Sequence, residues 1–146
     1  MKVVSELLKS HSKNADGTVW HVTPDKTVYE ALEQLAEHSV GALLVMEGDR
    51  LVGVFSERDY TRKITLQGRN SKETKVREIM TSDVFTVNAN TRTRDCMLLM
   101  SNKKIRHLPV MSGDTVLGMI SIRDIMDDII ADHEGTIADL QRYISS

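Results

Sequence analysis

The sequence predicts an α/β (α+β) protein built as two tandem β-α-β-β-α repeats packed into one pseudo-twofold module. Three observations carry this expectation. First, Gly53-Val54-Phe55-Ser56-Glu57-Arg58-Asp59 returns 65 residues later as Gly118-Met119-Ile120-Ser121-Ile122-Arg123-Asp124. Val19, Val22, Val45, Gly48 and Asp49 recur at the same offset as Val84, Val87, Val110, Gly113 and Asp114. A register held without a gap from Val19 to Asp59 marks a tandem duplication. Second, short apolar runs alternate with helical faces in the same order in each copy. Third, 146 residues leave room for one domain or for two small repeats sharing a core. Neither copy can bury its sheet alone, so the two pack together.

In chain order, Val3, Val4, Leu7 and Leu8 predict a short amphipathic helix. Val4-Ser5-Glu6-Leu7-Leu8 matches Val76-Arg77-Glu78-Ile79-Met80 at an offset of 72, so the polar loop Lys9 to Gly17 holds seven extra residues and each repeat begins with a lead-in helix. Val19 to Val22 reads as a strand, with Pro24-Asp25 turning out of it. Thr27 and Glu30 have capping-box spacing before a helix whose inner face is Val28, Ala31, Leu32 and Leu35. Ala42 to Met46 is a continuous apolar run, the pattern of a strand covered on both sides. Glu47 to Arg50 turns the chain into Leu51 to Phe55, and Ser56 opens a further helix. Polar Gln67 to Lys75 reads as the linker. The second copy repeats the order, with a strand at Val84 to Val87 and a helix at Thr93 to Met100 that turns Cys96, Met97 and Met100 inward. Strands follow at Leu108 to Met111 and Val116 to Ile120. The final helix opens at Ser121 and extends toward Tyr143, weakened at Gly135, with an apolar stripe of Ile125, Ile129, Ile137, Leu140 and Ile144. The boundaries read as 1–18 lead-in helix and loop, 19–66 first repeat, 67–83 linker, 84–130 second repeat and 131–146 helical extension.

Composition excludes several classes. A net charge of −2 argues against a nucleic-acid partner, whose phosphates call for a basic face. No apolar run is long enough to span a bilayer, and the first residues lack the form of a signal peptide. A lone cysteine fits a reducing cytoplasm. His11, His21, His38, His107 and His133 show no metal-ligand spacing with it, so no metal site is expected. No nucleophile, acid–base pair or phosphate-binding glycine loop stands out, so no catalytic residue and no enzyme are expected.

Arg106-His107-Leu108-Pro109-Val110, the turn Gly113-Asp114 and Gly118-x-x-Ser121-x-x-Asp124 resemble the cystathionine-β-synthase (CBS) domain. The tandem resembles the CBS pair, or Bateman module, here as a stand-alone chain with no effector domain attached. The first copy has Gly41-Ala42-Leu43-Leu44-Val45 without the proline, but keeps Gly53-x-x-Ser56-x-x-Asp59. The resemblance implies a regulatory module in signal transduction that binds AMP, ADP or ATP in clefts between the repeats and passes occupancy on by conformational change. NAD(H) and S-adenosylmethionine offer the same adenosine part. A constitutive dimerisation or scaffold module with empty clefts is the alternative. The resemblance also implies a homodimer and a regulated protein partner that the sequence does not name.

The motif has a chemistry of its own. A carboxylate can accept from both ribose hydroxyls, and a hydroxyl at a helix N-terminus can meet a phosphate oxygen. Ser-x-x-Asp is equally a plain capping box. The resemblance assembles one cleft from Trp20, Val40, Gly41, Arg106, Met119, Ser121 and Asp124. It assembles the other from Phe85, Ile105, Arg106, Val54, Ser56, Arg58 and Asp59. Trp20 and Phe85 suit a core as well as an adenine slot. The cleft with Ser121, Arg123 and Asp124 gains Lys103, Lys104 and Arg106 from its own repeat. It is therefore expected to favour a mononucleotide phosphate, leaving the other for a larger ligand such as NAD(H).

Overall fold

A computed structural model describes the backbone of residues 2–8 and 18–145, and their side chains except for 133–140, 143 and 145. Two hairpins of the same design form the centre. In the first, β2 (Ala42–Glu47) pairs antiparallel with β3 (Arg50–Ser56). In the second, β5 (His107–Ser112) pairs antiparallel with β6 (Thr115–Ser121). Both carry a register shift at the equivalent place, between Val45 and Met46 and between Val110 and Met111. Gly48 and Gly113 turn the two hairpins with φ of 64° and 59°, a backbone open to glycine at little cost. The two-residue strands β1 (His21–Val22) and β4 (Val87–Asn88) add in parallel to β2 and β5, which gives two three-stranded sheets. They are shorter than the predicted Val19–Val22 and Val84–Val87, and β4 reaches one residue past the prediction, since the pairs in register are His21–Leu44 and Val22–Val45 in one sheet and Val87–Val110 and Asn88–Met111 in the other.

Helices cover the sheets. α2 (Val28–His38) starts at Thr27, whose hydroxyl accepts from the Glu30 amide at 3.1 Å. The Glu30 carboxylate lies 3.6 Å from Lys26 Nζ, an i,i+4 ion pair. Val28, Ala31 and Leu35 are buried and Leu32 half-buried, as the periodicity requires. α5 (Thr93–Lys103) buries Cys96 and Met100 in the same way. α3 (Glu57–Tyr60) runs on as a π-helix over Thr61–Thr65, and α6 (Ile122–Ser145) is a single long helix.

The lead-in helices depart from expectation, because each serves the opposite repeat. α1 (Val4–Leu7) puts Val4 and Leu7 into the second core, with Cys96, Met100, Leu108, Val110, Ile120 and Ile125. α4 (Val76–Ile79) puts Val76 and Ile79 into the first, with Val22, Val28, Leu43, Val45 and Phe55. Backbone bonds fix the exchange: Val4 N donates to Thr91 O at 2.8 Å and Thr93 N to Lys2 O at 2.9 Å. Their counterparts are Val76 N to Lys26 O at 2.9 Å and Val28 N to Thr74 O at 2.8 Å. The same bonds with partners exchanged amount to a twofold relation within one chain. The Gln67–Lys75 linker therefore leads into a structural element of the first repeat. Thr81 then exchanges two 2.9 Å backbone bonds with Val54 along the outer edge of β3. Gly53 permits that approach, since a Cβ there would stand 2.9 Å from the Thr81 carbonyl oxygen.

Of the predicted stripe on α6, Ile125 is buried in its own repeat and Ile129 half-buried against it. Ile144 is exposed, while the side chains of Ile137 and Leu140 lie outside the described residues. Met126 and Ile130, one turn apart, are the exposed apolar pair instead. The predicted loop Lys9–Gly17 also lies outside the described residues. Among the described residues no helix is long and apolar enough to cross a membrane.

Candidate functional site

The Ser-x-x-Asp motifs end β3 and β6 and cap the helices that follow. Ser56 Oγ accepts from the Asp59 amide at 3.2 Å, and Asp59 Oδ2 accepts from the Ser56 amide at 3.0 Å. Ser121 and Asp124 repeat the box at 3.1 and 2.9 Å. Each helix also anchors to the segment before its own hairpin: Glu57 N donates to Gly41 O at 3.0 Å and Ile122 N to Arg106 O at 2.9 Å. The motif thus sits beside Gly41 in one repeat and beside Arg106 in the other.

Beyond the boxes the two carboxylates differ. Asp59 is 7% exposed; its Oδ1 accepts from the Thr81 hydroxyl at 3.2 Å and lies 3.2 Å from Lys63 Nζ. The π-helical turn carries Lys63 there, and the same ammonium donates to Ile79 O at 2.8 Å. In the second repeat the residue matching Lys63 is Asp128, which pairs with Lys2. Asp124 is half-buried and faces His107.

His107 lies between the repeats, its ring 3.5 Å from the position of a Cβ on Gly41. Burial lowers its pKa below the ordinary imidazole value; Asp124 opposes that shift and Arg106 reinforces it. The folded state therefore favours the neutral ring, and the unfolded chain takes up the proton first as pH falls. This contribution to stability is complete above the ordinary value of 6.5 and declines as pH drops from there toward the lower folded value. His107→Gln is expected to flatten the acid-side fall of the melting temperature; an unchanged slope by calorimetry refutes the assignment.

The basic run Lys103, Lys104 and Arg106 divides between two places. Arg58 Nη1 crosses from the first repeat and donates to Lys104 O at 2.7 Å. That bond draws α3 onto the end of α5. Arg58, Lys104 and Arg106 then rim one cavity of about 360 Å³, with Met97, Met100, Ile105 and Ile122 among its lining. Of the cations expected to favour the Ser121 cleft, Lys104 and Arg106 stand with Arg58 at this cavity. Lys103 belongs to neither group, its ammonium lying 4.9 Å over the Phe85 ring.

The remaining predicted residues divide between the two sides. Trp20 is half-buried, packs on the first core and stacks on His38 at 3.9 Å between ring centroids. Val40 packs on the same core, and Phe85 and Ile105 on the second. Val54 has its backbone engaged by Thr81. Met119 is half-buried on β6 opposite Pro109, and Arg123 is exposed. His38 and Lys63, absent from the predicted site, reach it through a stack and an ion pair. Only the i,i+4 spacing of Asp59 and Lys63 could have been read beforehand. Cys96 is buried, which raises its thiol pKa, and Asp95 adds to that shift.

A family model described as CBS domain matches residues 17–65 and 76–131. The chain is 41% identical over 146 residues to the CBS domain-containing protein CBSX3, mitochondrial, of Arabidopsis thaliana, across 97% of this chain and 71% of that protein. A solved protein with CBS domains from Burkholderia ambifaria is 45% identical, with a TM-score of 0.82 over 90% of this chain and 96% of that one. A CBS domain pair solved in complex with 5′-methylthioadenosine and S-adenosyl-L-methionine is 23% identical, with a TM-score of 0.75 over 90% of this chain and 98% of that one.

Proposed function

Because the chain belongs to the CBS-domain family, as a tandem pair, we propose that it is a regulatory module that binds an adenosyl ligand between its repeats, without turnover. The cavity in which Arg58 of one repeat meets Lys104 and Arg106 of the other carries this reading. Its 360 Å³ falls within the range of about 300–1,000 Å³ usual for ligand sites. An apolar lining suits a purine and the cationic rim suits phosphate. This favours AMP, ADP or ATP on the Arg58 side, with the ribose toward Ser56 and Asp59. The Gly41–His107–Ser121–Asp124 side, less basic, suits a ligand with little negative charge there, such as S-adenosylmethionine or the adenosine part of NAD(H). A ligand held from both repeats alters how they sit together, and that change is the signal passed to a regulated partner.

Calorimetric titration with each ligand tests the reading. Removing a carboxylate that accepts from ribose hydroxyls costs roughly 1.5–3 kcal/mol per bond, about tenfold in affinity or more. An Asp59→Asn, Asp124→Asn double variant that binds as well as the wild type sinks the ribose assignment. No heat from any adenosyl ligand leaves the constitutive scaffold instead.

The module pairs with a second copy through α5 and α6, where Leu98, Met126 and Ile130 are each about half exposed. Light scattering is expected to give twice the chain mass of 16.4 kDa at micromolar concentration, and a monomer there refutes the pairing. The single, buried Cys96 suits a reducing compartment such as the cytoplasm.

A further inference from the structure

Trp20 and His38 form a near-parallel stack, 3.9 Å between centroids and 8° between planes. His38 is the last residue of α2, and Ser39 behind it holds a left-handed backbone at φ 54°. The duplication repeats the device with different chemistry. Phe85 matches Trp20, and Lys103, the last residue of α5, holds its ammonium 4.9 Å over that ring. Lys104 behind it is left-handed at φ 56°. These are the only non-glycine residues at positive φ among the described residues, and they stand at equivalent places.

A side chain with a Cβ takes this conformation at a cost that glycine would not meet, and backbone bonds from Val40 N to Leu35 O at 3.1 Å and from Ile105 N to Met100 O at 3.0 Å close the two turns. In both repeats a strand-leading aromatic is therefore covered by the terminal residue of a helix that ends in a left-handed cap. Val40 and Gly41 follow directly, and a Cβ on Gly41 would stand 3.5 Å from the ring of His107 in the other repeat. The covered face of Trp20 thus lies at the edge of the seam between repeats. Purine bases stack on indole faces with the geometry that His38 now adopts.

We propose that His38 is an exchangeable cover: it occupies the face of Trp20 on which the base of a bound adenosyl ligand stacks, and it swings away as the base arrives. This rests on the adenosyl-ligand reading above. Unwinding at Ser39 frees the imidazole without disturbing the turns of α2 that fill the core. The cover keeps the indole from water while the cleft is empty and makes the base compete for its place. His38 is then a specificity-determining residue, since a ligand without a flat base cannot replace the stack.

Trp20 is the single tryptophan, so its fluorescence reports on this place alone. Adenosine is the probe, because it lacks the phosphate that would direct it to Arg58 and Arg106. Adenosine is expected to shift Trp20 emission in the full chain. His38→Ala is expected to bind adenosine about two- to tenfold more tightly, the affinity equivalent of one aromatic contact no longer displaced. His38→Gln, which keeps a helix-compatible polar chain but no ring, should behave alike and serves if the alanine variant fails to fold. Unchanged or weaker adenosine binding in a folded His38 variant, with static Trp20 emission, overturns the cover while leaving the adenosyl reading in place. AMP heat without any response to adenosine does the same. Absence of heat from both ligands overturns the two together.

Discussion

Leu7→Ala is expected to loosen the second repeat and leave the first intact, whereas Ile79→Ala should loosen the first and leave the second. Both residues are buried in a core whose strands lie on the far side of the linker or the polar loop. A buried Leu or Ile cut to Ala costs about 2–5 kcal/mol, the transfer free energy plus the cavity left behind. Set against about 5–15 kcal/mol of total stability, either change removes a large part. Hydrogen exchange separates the outcomes. In Leu7→Ala the amides of β5 and β6 should lose protection before those of β2 and β3, and in Ile79→Ala the order reverses. Loss in the adjoining repeat in either variant contradicts the exchanged packing.

Arg58→Ala and Arg106→Ala are each expected to weaken AMP binding by roughly tenfold to a hundredfold, since a charge-assisted bond contributes about 1.5–3 kcal/mol. Arg58→Ala does more than remove a cation. It breaks the 2.7 Å bond to the Lys104 carbonyl, so the rim of the cavity also loses a fixed distance between repeats. Adenosine, with no phosphate, should lose much less in both variants, which distinguishes phosphate recognition from collapse of the cleft. Equal losses for AMP and adenosine, or none for either, refute the placement of the phosphate. Arg123→Ala, at the matching position of the second repeat, provides the control and should leave AMP binding within about twofold.

Much of the fold was legible because the duplication printed it twice. The hairpins, their glycine turns and the inward faces of α2 and α5 follow from apolar spacing, which local geometry obeys directly. The exchanged lead-in helices were not legible. Val4, Leu7, Val76 and Ile79 announce a buried face, but an apolar stripe does not say whose core it fills. The Ser-x-x-Asp boxes were readable as caps, and both caps form. Their difference was hidden, because it depends on Lys63 reaching Asp59 from a π-helical turn and on Asp128 turning to Lys2. Arg106 stands out in the sequence by its charge, and it lines one cavity with Arg58. Its companion Arg58 was assigned by resemblance, and the carbonyl that ties Arg58 to Lys104 leaves no mark in residue type.

The exchange of α1 and α4 also sets a timetable for synthesis. Val4 bonds to the Thr91 carbonyl and Leu7 packs beside Ile120 and Ile125, so α1 leaves the ribosome and then waits for residues as late as Ile125 before its partners exist. The first repeat is complete much earlier, once Ile79 has emerged. At about 5–20 residues per second, the nascent chain spends several seconds with a finished first repeat and an unclaimed apolar hook ahead of it. During that interval a neighbouring nascent copy offers the same hook and the same vacant groove. The order of translation therefore makes intertwined pairs the characteristic misassembly of this molecule, and crowded polysomes the place to look for them.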